Sequence, residues 1–164
     1  MSLAIDSSPL DEPKDHAAHA VRRSAAVRLF STALWTTKAP PWGPIREVSD
    51  AAKFLMRFIG SRDREYFVAI HLSSQAMVIG VEIVSIGDVS SAPVTPREVF
   101  KAAILSNAAA IIVGHNHPSG DVMPSPEDVQ TYRSLVEAGG LIGVTVVDCL
   151  VVSADTWYSV GTSG

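Results

Sequence analysis

From residue 49 onward the chain alternates between helical and extended hydrophobic periods. Ala52, Leu55, Met56 and Ile59 recur at helical spacing and Gly60 follows them, which predicts a helix over residues 49–59. Residues 66–72 read as a strand, Ser73-Ser74-Gln75 as a turn and residues 77–86 as a second strand, so the pair predicts a hairpin. Thr95-Pro96-Arg97-Glu98 combines a cap residue, a proline at the first helical position and a capping-box glutamate. The helix it opens is expected to run to about residue 109. Residues 110–114 are short and wholly apolar, the signature of a buried central strand. Ser125-Pro126-Glu127-Asp128 opens another helix in the same way, expected to end at Gly139-Gly140. Residues 144–152 then read as a strand and residues 156–160 as a short last one. Strands and helices alternate without internal repeat, so the pattern predicts an α/β domain with a sheet flanked by helices.

The opening of the chain has a different texture. Residues 1–44 are punctuated by Pro9, Pro13, Pro40, Pro41 and Pro44 and read as a tail or an accessory helix ahead of a domain over residues 45–164. A helix over residues 16–34 would place Val21, Ala25, Leu29 and Phe30 loosely on one face, with Arg22, Arg23 and Arg28 making it locally basic. His16 and His19 read as a solvated pair.

Composition narrows the classes. Of 164 residues 47% are hydrophobic and 18% charged, which suits one domain with a sizeable core and excludes global disorder. The formal net charge of −4 gives no overall basic footprint, so weak or no nucleic-acid binding is expected of this chain alone. Cys149 is the single cysteine, which excludes an internal disulfide framework and a Cys-rich zinc finger and fits a reducing, cytoplasmic setting. No apolar run approaches the ~18–20 residues that span a bilayer, and the first residues lack a secretory signal pattern, so no membrane association is expected.

The chemistry concentrates in His115-Asn116-His117-Pro118-Ser119-Gly120-Asp121. In an extended chain, positions i and i+2 share a face, so His115 and His117 present two imidazoles to one point at the carboxyl end of a strand. Pro118, Gly120, Pro124 and Pro126 turn the following loop sharply, and Asp128 falls in the first turn of the next helix. Two histidines, one aspartate and a water make an open, catalytic-type zinc site. Singly, each residue also has a structural explanation, since Ser125 and Asp128 form a capping box. Their combination is what points to a metal.

The spacing H-x-H-x7-S-x2-D, filled by His115, His117, Ser125 and Asp128, resembles the JAMM metalloprotease motif. The longer string HNHPSGDVMPSPEDV, preceded by PREVFKAAILSNAAAIIVG, is similar to bacterial RadC proteins, which carry a JAMM-type domain; the resemblance covers about residues 49–160. It implies a three-layer fold like that of cytidine deaminases, zinc held by His115, His117 and Asp128, and Ser125 helping to hold the polarised substrate oxygen or the metal-bound water. It also implies an upstream glutamate that takes a proton from the attacking water, for which two residues compete. Glu65 stands at the start of an early strand, as the family's glutamate does, whereas Glu98 is explained as part of a capping box. Glu65 is therefore the expected general base. Where such proteins carry Asp-His near the end, this chain has Asp148-Cys149, with the cysteine expected as a small buried strand residue. The implied activity is cleavage of a peptide or isopeptide bond in a protein or peptide substrate. The rival reading is a catalytically idle metal-binding module that docks onto DNA-repair or mobile-element proteins. A nucleobase deaminase is excluded because its P-C-x-x-C half is absent.

Overall fold

The computed structural model describes residues 43–87 and 94–161. The helix expected over residues 16–34, with its histidines and arginines, lies outside the described residues. Among the described residues three helices and five strands follow in the order α1 (Val48–Ile59), β1 (Glu65–Leu72), β2 (Val78–Gly87), α2 (Pro96–Leu105), β3 (Ala110–Asn116), α3 (Pro126–Ile142), β4 (Thr145–Val152) and β5 (Trp157–Ser159). The strands form one mixed sheet in the order β2-β1-β3-β4-β5. Only β3 and β4 are parallel, joined by the α3 crossover, and every other neighbour is antiparallel.

Strand alternation sorts the core into two layers. Phe67, Ala69, Ile111 and Val113 point to one face and pack with Val99, Phe100 and Ala103 of α2 and Leu135 of α3. Val68, Ile70, Leu72 and Ile112 point to the other and pack with Ala51, Ala52, Leu55 and Ile59 of α1. Fully buried side chains such as Leu55 and Ile112 each stabilise by about 1.5–3 kcal/mol relative to exposure. Gly114 marks a close approach of α1 to the sheet: a Cβ there would stand 2.5 Å from Leu55 Cδ1 and 2.9 Å from the Leu150 carbonyl oxygen.

Three local expectations are corrected. The helix α2 ends at Leu105 rather than near residue 109, because Ser106 caps it and Asn107 turns to a φ of 57°. The helix α3 passes through Gly139-Gly140 and ends at Ile142, with Gly143 left-handed at a φ of 75°. Gly139 serves close packing instead, since a Cβ there would collide with the Val144 carbonyl oxygen. The strand β3 extends beyond its apolar run to include His115 and Asn116.

A β-bulge in β4 was not foreshadowed by the pattern. Ile111 pairs with Val146 and Ile112 with Asp148, which leaves Val147 as the extra residue. After it, Cys149 and Val151 face the α2 and α3 layer and Leu150 and Val152 the α1 layer.

Candidate metal centre

The site is built at the carboxyl end of β3, on the α2 and α3 face of the sheet. His115 is the register partner of Phe67 in β1, and the two rings stack at 5.8 Å with an interplanar angle of 7°. This packing leaves His115 only 1% exposed and holds its ring upright over the sheet. His117 lies two residues on, with its ring centroid 5.0 Å from that of His115. Continuing the β1–β3 pairing by two residues brings Glu65 level with His117 and on the same face.

The third group comes from α3. Ser125 is the N-cap, its hydroxyl accepting the Asp128 backbone N–H at 3.1 Å. In return Asp128 Oδ2 accepts the Ser125 N–H at 2.7 Å and the Ser125 hydroxyl at 2.8 Å. The same capping box that starts the helix therefore orients the carboxylate. Asp128 Oδ1 lies 3.1 Å from His115 Nε2, and Asp128 Oδ2 lies 3.5 Å from His117 Nε2. The two imidazole Nε2 atoms are 3.1 Å apart.

Those separations match a metal site. Ligand atoms at the usual zinc distances, about 2.0–2.1 Å in a tetrahedron, stand roughly 3.3–3.4 Å from one another. His115, His117 and Asp128 offer ligand atoms that all lie within 4.8 Å of each other. The His117 Nδ1–H donates to the Asp121 carbonyl at 2.9 Å, which leaves the Nε2 lone pair directed at the centre. His115 Nδ1 is buried without a hydrogen-bond partner, so stacking on Phe67 holds the ring on the side away from Asp128 and His117. Two neutral imidazoles and a carboxylate are a donor set that suits zinc.

The electrostatics follow from this crowding. The Asp128 hydrogen bond raises the His117 pKa above its ordinary value; burial opposes the rise, and the Asp121 carbonyl and the charges of Asp128 and Glu65 add to it. Burial pushes the Asp128 carboxyl up, but hydrogen bonds from His115 and His117 outweigh it and hold the group well below the usual carboxylate range.

Comparison with known proteins agrees with the geometry. Residues 45–164 match the family described as a RadC-like JAB domain. This chain belongs to the RadC family. Similar members are UPF0758 proteins. One from Desulforudis audaxviator is 41% identical over 124 residues, covering 75% of this chain and 54% of that protein. Another from Moorella thermoacetica is 45% identical over 108 residues, covering 66% and 47%. A third from Bacillus velezensis is 40% identical over 145 residues, covering 88% and 62%. The RadC chain thus spans about half to three-fifths of the length of these relatives.

The remaining candidates of this RadC domain separate clearly. Glu98 is exposed, and its carboxylate accepts the Thr95 hydroxyl at 3.1 Å and the Thr95 N–H at 3.3 Å as a helix cap. It is not brought to the histidines. Cys149 is buried in β4, where burial pushes its thiol pKa up. Asp148 beside it is satisfied by the Cys149 N–H, the Ser159 hydroxyl and the Gly161 N–H. Two contributors escaped sequence reasoning. One is the Asp121 carbonyl on His117. The other is Asn116, whose side chain bonds backbone groups 50–54 residues away in sequence. No local pattern announces either contact. Among the described residues no helix is long and apolar enough to cross a membrane.

Proposed function

We propose that this RadC chain is a zinc-dependent metallopeptidase of the JAMM type, cleaving a peptide or isopeptide bond by means of an activated water. The observation that supports it most is the convergence of His115 Nε2, His117 Nε2 and Asp128 at near-tetrahedral separations of 3.1–3.5 Å, with Glu65 on the same face. Bound zinc supplies Lewis-acid polarisation of the scissile carbonyl and draws the pKa of a water towards neutrality. Glu65 accepts the proton of the attacking water and returns it to the leaving amine. Ser125, whose hydroxyl rests on Asp128 Oδ2, turns to donate to the oxygen on which negative charge develops. The Asp121 carbonyl and the Ser125 cap keep the His117 ring and the Asp128 carboxylate in register with His115 throughout.

The test compares the zinc-loaded chain with its Glu65→Gln variant on a panel of linear and isopeptide-linked peptide conjugates, reading released amine. Glu65→Gln should retain one zinc per chain and lose turnover by about 10²–10⁴-fold, the usual contribution of a positioned base. Undiminished turnover in that variant would remove Glu65 from the mechanism. No amine release by the unmodified zinc-loaded chain from any conjugate would favour a structural metal.

A further inference from the structure

Asn116 stands between the two histidine ligands and points the other way, into the α1 side of the sheet, where it is 0% exposed. Its carboxamide oxygen accepts the Tyr66 N–H at 2.9 Å. Its amide nitrogen donates to the Arg64 carbonyl at 2.9 Å and to the Arg62 carbonyl at 3.3 Å. The Arg64 carbonyl and the Tyr66 N–H are the peptide groups on either side of the Glu65 Cα. The backbone register between β1 and β3 stops at Phe67 and His115. Beyond that pair, where a further strand residue would bond the peptide groups flanking Glu65 with its own backbone, the Asn116 carboxamide takes that place. It offers an acceptor and donors as a peptide group does. The ladder is in effect extended by a side chain.

Clamping both flanking peptides restricts the φ and ψ of Glu65. Because side chains alternate across a strand, it also directs the Glu65 side chain away from Asn116 and onto the face of His115 and His117. We propose that Asn116 is the positioning residue of the general base, aligning Glu65 with the metal centre from the opposite face of the sheet. The tripeptide His115-Asn116-His117 then supplies ligands on one face and base alignment on the other. This rests on the reading of Glu65 as the base. An apolar residue of similar size would leave three backbone groups without their partner, and aspartate would keep the acceptor but lose both donors.

The test uses the full zinc-loaded chain with Asn116→Ala, Asn116→Asp, Glu65→Gln and the double variant Asn116→Ala/Glu65→Gln. Zinc stoichiometry in Asn116→Ala should equal that of the unmodified chain. Its kcat should fall on the order of 10²-fold with KM nearly unchanged, as a displacement of about 1 Å at a reacting group produces. In the Glu65→Gln background the same substitution should cost nothing further, because the group it positions is already gone. Asn116→Asp should resemble Asn116→Ala. A second readout needs neither turnover nor substitution: amide hydrogen exchange in the unmodified chain should show the Tyr66 N–H protected like its β1 neighbours. An unprotected Tyr66 amide overturns the proposal. Full kcat in Asn116→Ala beside an inactive Glu65→Gln overturns the positioning role alone, as does loss of zinc or an additive loss in the double variant. Full turnover in Glu65→Gln overturns the base assignment and the positioning role with it.

Discussion

Replacing Glu82 by glutamine should make the stability of this domain grow, relative to the unmodified chain, as pH rises from about 4.5 to about 7. Glu82 in β2 and His71 in β1 are buried on the α2 side of the sheet, 5% and 0% exposed. The Ser106 hydroxyl gives its proton to the Ala103 carbonyl at 3.0 Å, so the His71 Nδ1–H is the donor in the 3.2 Å contact to Ser106. His71 Nε2 therefore turns a lone pair towards Glu82 Oε2, 4.0 Å away, and neither atom has a hydrogen bond. Burial raises the Glu82 pKa from 4.5 to about 7, with Lys101 opposing, and lowers that of His71 from 6.5 to about 4. The signs oppose. Folded Glu82 keeps a proton that the unfolded chain has released, so its contribution is present below pH 4.5 and lost as pH rises through about 7. His71 does the reverse, its contribution being present above pH 6.5 and lost as pH falls through about 4.

Between those limits the two slopes nearly cancel in the unmodified chain. Glutamine mimics the neutral acid and removes one slope, so the variant should gain about 1.4 kcal/mol per pH unit, reaching roughly 3 kcal/mol by pH 7. Urea titrations of both proteins at several pH values, with a chelator present, isolate this difference, since every other titrating group is common to both. A stability difference that does not change between pH 4.5 and 7 would refute the reasoning.

Gly114→Ala should destabilise the domain by about 1–3 kcal/mol, because the new methyl meets Leu55 and the Leu150 backbone; an unchanged denaturation midpoint would show that α1 shifts freely. His115→Ala and His117→Ala should each lose stoichiometric zinc while keeping the native circular dichroism spectrum. Retained zinc in either variant, measured by elemental analysis, would exclude it as a ligand. Glu98→Ala should keep zinc and turnover and lose on the order of 1 kcal/mol of stability through its helix cap, read from a thermal melt. The intact chain should bind DNA weakly, with affinity that falls steeply with added salt in a fluorescence anisotropy titration. Sub-micromolar, sequence-specific binding at physiological salt by a version starting at residue 49 would contradict the peptidase reading.

The candidate ligand set of this RadC domain, His115, His117 and Asp128, lies within one short stretch, which is why it could be read from residues in order. Strand alternation puts His115 and His117 on one face, and a capping box puts Asp128 at the head of α3; both are short-range effects that need no knowledge of the rest of the chain. The same holds for the α/β alternation and for the helix starts at Thr95 and Ser125. Helix ends were less legible. Whether a helix stops at a glycine pair or passes through it depends on what lies alongside, and at Gly139 that neighbour is the Val144 carbonyl just ahead of β4.

Tertiary structure decided the features that join distant segments. The capping box already set Glu98 aside in the sequence, but it takes the antiparallel pairing of β1 with β3 to carry Glu65 towards the histidines while α2 keeps Glu98 in its own cap. The bulge at Val147, the Asn116 clamp and the facing of His71 with Glu82 likewise depend on strand register. Register is set by which whole faces can be buried together, a property of the assembled sheet, so a hydrophobic period along one strand predicts its faces but not its partner's offset.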